Sequence, residues 1–178
     1  MPQPSRPWLA RGLDVLAVLI VLAAAVRFFV LPRLHAAPVL APPVALERLD
    51  GGRFDLARAR GQLVFVDFWA SWCDPCRASI PLVQHFARTH PGVTVVSVDA
   101  GETDALVRPF VARFQMRDVV LDPDLTATHA FGVEGFPTLV AIDQGGRIRA
   151  RWIGFDPDIE RAMSEVAAQL AARTTASR

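Results

Sequence analysis

Two cysteines three residues apart, set between a buried-type strand and a helix, constrain this chain more than anything else in it. Leu63-Val64-Phe65-Val66-Asp67-Phe68-Trp69 is apolar at every position but one. A run of that length suits a central strand buried on both faces. Cys73-Asp74-Pro75-Cys76 follows after a short loop, and Arg77 to His90 then carries Ile80, Val83, Phe86 and Ala87 at helical spacing. The helix therefore begins near Cys73, whose sulfur lies where unpaired backbone N–H groups and the helix dipole stabilise a thiolate. Cys76 is one turn on and on the same face. Pro75 lacks an N–H, which costs little in a first helical turn. This spacing predicts thiol–disulfide exchange. Cys73 attacks a disulfide, Cys76 resolves the mixed disulfide, and the reverse sequence oxidises a dithiol. A structural disulfide or half of a metal site is the alternative, and the strand-then-helix setting disfavours it.

The chain holds 178 residues, with only two Cys and a formal net charge of +1. One pair is too few for a disulfide-stapled scaffold. A structural zinc site needs four ligands, and His35, His85, His90 and His129 show no ligand spacing. The near-zero charge, carried by scattered Arg, leaves no field for nucleic acid.

Asp67 is the one charge in the central strand. A charge in a strand of that kind is a conflict that asks for an explanation.

The remaining pattern alternates strands and helices. Val44–Leu49 and Arg53-Phe54 read as short strands about the Asp50-Gly51-Gly52 turn, and 55–61 reads as one helical turn closed by glycine. Pro81 should kink the helix after the cysteines, and Pro91-Gly92 should stop it. Val93–Val98 is a strand. Residues 103–115 are a helix with Thr103 as N-cap and Leu106, Val107, Phe110, Val111 and Phe114 inward. Val119–Leu121 is a strand, and Leu125–Phe131 a short helix ended by Gly132. Thr138–Ile142 and Arg147–Ile153 form a hairpin. A helix opened by Asp156-Pro157 closes the domain near Ala172. These elements predict an α/β fold with a mixed sheet and helices on both faces.

Ahead of the domain, Leu13 to Leu31 is apolar apart from Asp14 and Arg27. It is close to the length that spans a bilayer, with Arg27 near enough to the end to snorkel. An uncleaved signal-anchor is the preferred expectation. A signal peptide cleaved near Ala23-Ala24-Ala25 is the alternative, and a buried core helix a third. The flanking Arg residues slightly favour a cytoplasmic N-terminus, which puts the domain outside, in a periplasm or its equivalent. The expected organisation is a tail (1–12), a transmembrane anchor (13–31), a Pro-rich spacer (32–43), the α/β domain (44–173) and a flexible tail (174–178).

Val66 to Cys76 resembles the active-site segment of thioredoxins. Gly135-Phe136-Pro137-Thr138 is similar to their second signature, a cis-proline loop opposite the cysteines. With the N-terminal anchor, the 50–61 approach to the central strand and the extra helix and strand between Glu102 and Leu121, the chain most resembles the membrane-anchored TlpA/ResA-like branch. The resemblance implies a thioredoxin-like fold, Cys73 as nucleophile, Cys76 as resolving thiol and Asp67 as the buried acid, whose pKa burial should raise and which takes the proton of Cys76 as that thiol attacks. It implies a cis Pro137 that presents the backbone of Phe136 to a substrate peptide, with Trp72, Asp74 and Pro75 completing the substrate-binding surface. Trp69 is expected to support the active-site loop. No cofactor beyond the Cys73–Cys76 pair is implied. Two departures stand out: Ser79 replaces a glutamate common in ResA-like proteins, and Thr138 replaces the acid of some cytochrome-maturation members.

Asp74, between the cysteines, disfavours the Cys73 thiolate and so favours a reducing couple. A reductant outside the cytoplasm implies protein disulfides as substrates, apocytochrome c among them, and a membrane thiol carrier of the DsbD or CcdA type as electron source. An oxidant or isomerase of the same fold is the alternative. A copper chaperone for oxidase assembly is the alternative of another class.

Overall fold

A computed structural model of the chain describes residues 17–22, 24, 27 and 39–176. The chain divides into two compact units, Met1–Ala37 and Pro38–Arg178. In the first, residues 17–22 are helical, and Val18 to Leu22 are exposed. Most of the expected anchor lies outside the described residues. Among the described residues no helix is long and apolar enough to cross a membrane.

The second unit is a seven-stranded sheet: β1 (Ala45–Arg48), β2 (Arg53–Asp55), β3 (Val64–Trp69), β4 (Thr94–Ala100), β5 (Val119–Asp122), β6 (Thr138–Ile142) and β7 (Ile148–Ile153). The strand order is β2-β1-β5-β4-β3-β6-β7. β3, β4 and β5 run parallel, and the pairs at either side are antiparallel. The helices are α1 (Asp74–Thr89), α2 (Asp104–Phe114), α3 (Thr126–Ala130) and α4 (Ile159–Ala176).

β3 is buried at all of its positions, as its apolar run predicts. Its period of two sorts the core. Val64, Val66 and Phe68 pack with Val96, Val98, Val140, Ala127 of α3 and Phe131 just after it. Leu63 and Phe65 face the other way, against Val83 and Phe86 of α1 and Met163 and Leu170 of α4. Trp69 lies on that second face too, with Cys73, Cys76 and Ile80 of α1 and Val107 of α2.

Several boundaries differ from expectation. α1 runs unbroken through Pro81. Of residues 55–61, Asp55 ends β2 and 56–61 form successive turns instead of a helical turn. β4 continues two residues past Val98, because Asp99 pairs with Trp69 and Ala100 with Asp122. α4 begins three residues after Asp156, whose Oδ1 still accepts the Asp158 N–H (2.8 Å), and it extends through 174–176 of the expected flexible tail. Leu106 points outward at 61% exposure, so the apolar face of α2 is narrower than its sequence suggests. The end of the expected spacer belongs to the domain. Ala41 N–H donates to Gly146 O (2.9 Å), and Val39 O accepts from Ile148 N–H (2.8 Å).

Candidate active site

β3 delivers the chain to the site and α1 leads it away. At Ala70 the backbone turns, and Cys73 N–H donates to Ala70 O (3.1 Å), which leaves Ser71 and Trp72 at the corners of the turn. Cys73 is the N-cap of α1, with extended backbone (φ −83°, ψ 105°). Its Sγ accepts a hydrogen bond from Cys76 N–H at 3.2 Å. A sulfur in that place shares the unpaired N–H groups of the helix start, as the spacing predicts.

Cys73 and Cys76 are joined as a disulfide. They are not equivalent. Cys76 is fully buried, whereas Cys73 lines an open cleft of about 780 Å³. Trp72, Asp74 and Pro75 line the cleft on the cysteine side, and Val133, Glu134, Gly135 and Phe136 on the other. Trp72 is 65% exposed and meets the Phe136 ring edge-on at 5.8 Å. The Phe136–Pro137 peptide bond is cis. The loop is fixed by Gly154 N–H donating to Pro137 O (2.8 Å) and Thr138 Oγ1 donating to Gly135 O (2.6 Å). Trp69 is buried and stacks on Phe110 at 4.9 Å beneath the turn.

Asp67 lies between Phe65 and Trp69 on one face of β3. Phe65 packs against Val83 and Phe86, and Trp69 packs in the cluster of Cys76 and Ile80. Alternation therefore turns Asp67 toward α1 on the cysteine side. Both carboxyl oxygens are buried and have no hydrogen-bond partner among the described residues. Burial pushes the pKa of Asp67 up to about 7.

Asp74 behaves differently from what its place between the cysteines suggests. Its side chain is 86% exposed and paired with Arg77 at 3.2 Å. Solvent and the guanidinium both screen it, so its pull on the Cys73 thiolate is weak. Ser79 is buried in α1.

Three features escape sequence reasoning. His129, on α3, lines the same cleft as Cys73. Exposed Ile153 and Phe155 flank Gly154, which is bonded to the cis-proline loop at Pro137 O. Glu102 is buried and accepts hydrogen bonds from Ser71 of the active-site turn. The first two depend on chain crossings that a linear pattern does not show. The other described histidines lie elsewhere: His85 pairs with Glu160 (2.6 Å), and His90 stacks on Phe86 (4.0 Å) at the far end of α1.

A redox-active dithiol at a helix start, facing a cis-proline loop on a mixed sheet, defines a thioredoxin-like oxidoreductase. The comparisons with known proteins agree. The Redoxin family model matches residues 36–170. The thiol-disulfide oxidoreductase ResA of Geobacillus kaustophilus is 30% identical over 161 residues, covering 84% of this chain and 92% of the relative. Among solved structures, a thiol:disulfide interchange protein of the thioredoxin family from Chlorobium tepidum is 28% identical, with a TM-score of 0.62 over 70% of this chain and 93% of that one. StoA from Bacillus subtilis is 25% identical, with a TM-score of 0.58 over 65% and 92%. The chain belongs to the Redoxin family, in its TlpA/ResA-like branch of thioredoxin-like proteins, and is a thiol–disulfide oxidoreductase.

Proposed function

We propose that the protein is a membrane-anchored disulfide reductase that works outside the cytoplasm on protein substrates through Cys73 and Cys76. The observation that carries this is the inequality of the two sulfurs: Cys73 borders the cleft, while Cys76 is sealed on the side of the sheet that Asp67 faces.

Substrate peptide lies in the cleft against Trp72, Asp74, Pro75 and Phe136, with its backbone along the cis-proline loop at Pro137. The Cys73 thiolate attacks one substrate sulfur. The substrate disulfide breaks, and the other sulfur leaves and takes a proton. Asp67, ionised, accepts the proton of Cys76. The Cys76 thiolate then attacks Cys73 Sγ and expels the second substrate sulfur. Two electrons pass to the substrate, and the Cys73–Cys76 disulfide is the only oxidised product. No cofactor takes part. A membrane thiol carrier of the DsbD or CcdA type restores the dithiol.

The reducing direction is supported more by Asp67 than by Asp74. A desolvated carboxylate beside the dithiol disfavours a second negative charge on sulfur, and so favours the disulfide over the thiolate. Apocytochrome c is the substrate class that the ResA-like resemblance suggests. The apolar 13–31 segment supports membrane attachment.

The reduction potential of the Cys73–Cys76 pair tests the direction. A value near that of thioredoxin, about −270 mV, is expected. A value near about −120 mV, that of the oxidant DsbA, would make the protein an oxidant.

A further inference from the structure

Beneath the active-site turn lies a second buried carboxyl group that the exchange chemistry does not use. Asp99, near the end of β4, is 0% exposed, and both its oxygens lack a hydrogen-bond partner of good geometry among the described residues. It sits beside Trp69, its neighbour in the β3–β4 register, whose buried indole N–H is also unpartnered among those residues. Gly101, at φ +82°, then turns the chain so that Glu102 returns over the active-site turn. The conformation requires glycine, since a side chain there is strained and its Cβ would also lie 3.2 Å from Leu125.

Glu102 grips Ser71 with both carboxylate oxygens. Ser71 N–H donates to Oε2 at 2.5 Å and Ser71 Oγ donates to Oε1 at 2.6 Å. The Ser71 carbonyl accepts from Arg77 Nη2 at 3.0 Å. Every polar group of Ser71 is thus held, two of them by one buried carboxylate. Short bonds to an ionised acceptor are the strong kind. Ser71 and Trp72 are the corners of the turn that ends at Cys73. The clamp therefore fixes the pose of both the docking indole and the nucleophile.

We propose that Glu102 is a positioning residue for the Ser71–Cys73 turn, and that Asp99 behind it makes the clamp responsive to pH. This rests on the disulfide-exchange function already described.

The charges around Asp99 favour that coupling. Burial raises its pKa to about 8, Glu102 adds to the rise through its carboxylate while its N–H opposes it, and Asp122 adds a little more. Asp122, on β5, spends its oxygens on Ala127 N–H and on the N–H and Oγ1 of Thr128. Asp67 is a second carboxyl on this face of the sheet, two strand positions away on β3, and Glu47 of β1, beyond Leu121 in the same row, is an exposed third. From α1 the disulfide sulfurs and Ile80 pack near, and from α2 comes apolar Val107. The charged Arg108 and Asp104 of α2 are paired with each other. Among the described residues, the cation in that row is Arg53 of β2, which is exposed and beside Glu47. A neutral Asp99 donates toward the Glu102 carboxylate, which stays on Ser71. Once Asp99 loses its proton, two buried carboxylates repel, and Glu102 is pushed off Ser71.

The test follows the Ser71 amide by NMR in the oxidised protein, where neither cysteine titrates, so that its outcome does not depend on exchange activity. Wild type should show a strongly downfield amide proton that shifts in a step centred near pH 8. Asp99→Asn should abolish the step, and Asp67→Asn should leave it. A flat Ser71 signal from pH 6 to 9.5, or a step that survives in Asp99→Asn, overturns the pH coupling. For positioning, Glu102→Gln and Ser71→Ala should each lower kcat/KM for disulfide exchange at pH 7 by about five- to tenfold. Unchanged kcat/KM in Ser71→Ala overturns the positioning role even where Glu102→Gln fails to fold.

Discussion

The role proposed for Asp67 couples the chemistry to stability, and the two effects can be measured separately. Its raised pKa of about 7 means that the base form fills in from pH 6 to 8. The resolving attack of Cys76 should therefore quicken about tenfold across that interval, since ionisation rises from roughly a tenth to nearly complete. In Asp67→Asn that rise should vanish in stopped-flow measurements of mixed-disulfide resolution; equal profiles for variant and wild type would remove Asp67 from the mechanism. The stability effect runs in the opposite direction. The folded state holds a proton on Asp67 that the unfolded state loses near pH 3.8, so stability falls as pH rises from about 4 to 7 and is level above. The loss is at most on the order of 4 kcal/mol. Urea titration of the oxidised protein should find Asp67→Asn more stable than wild type at pH 8 and little different at pH 4. Asp67 was legible in the sequence because a lone charge in an apolar strand is a conflict. Asp99 was not. The apolar run ends at Val98, and only the pairing of Asp99 with Trp69 and Leu121, and of Ala100 with Asp122, keeps those two residues in the sheet.

At the scale of elements, β3, α1 and the β6–β7 hairpin carry the site. All three were legible, because a doubly buried strand, a helix start at Cys73 and a Gly145-Gly146 turn each leave a local mark. What was not legible is the apolar margin. Ile153 and Phe155 look like ordinary hairpin residues until Gly154 is seen bonded to Pro137. Trp72→Ala removes the ring that meets Phe136, and an aromatic pair is worth about 0.5–1.5 kcal/mol. The second-order rate of substrate disulfide reduction should then fall roughly two- to tenfold. Ile153→Lys should lower the same rate without changing the Cys73–Cys76 potential, because it lies on the docking margin and away from the sulfurs. An altered potential with an unaltered rate would place Ile153 outside the docking surface.

For the whole molecule, the division at residues 37 and 38 separates an apolar N-terminal unit from the catalytic one. The domain edge was harder to place, because a Pro-rich stretch reads as a spacer whether or not it packs, and here Val39 and Ala41 bond to the β6–β7 turn region. A chain beginning at Pro38 should keep the thermal midpoint of the domain and its exchange rate. One beginning at Val44 should lose stability, since it lacks those bonds. The most direct test of the central claim, that Cys73 exchanges disulfides and Cys76 resolves them, is the intact mass of Cys76→Ser after exposure to a disulfide-bonded peptide. A stable adduct on Cys73, with none on a Cys73→Ser protein that retains Cys76, is the expected result. Absence of the Cys73 adduct, or equal capture by Cys76, would contradict it.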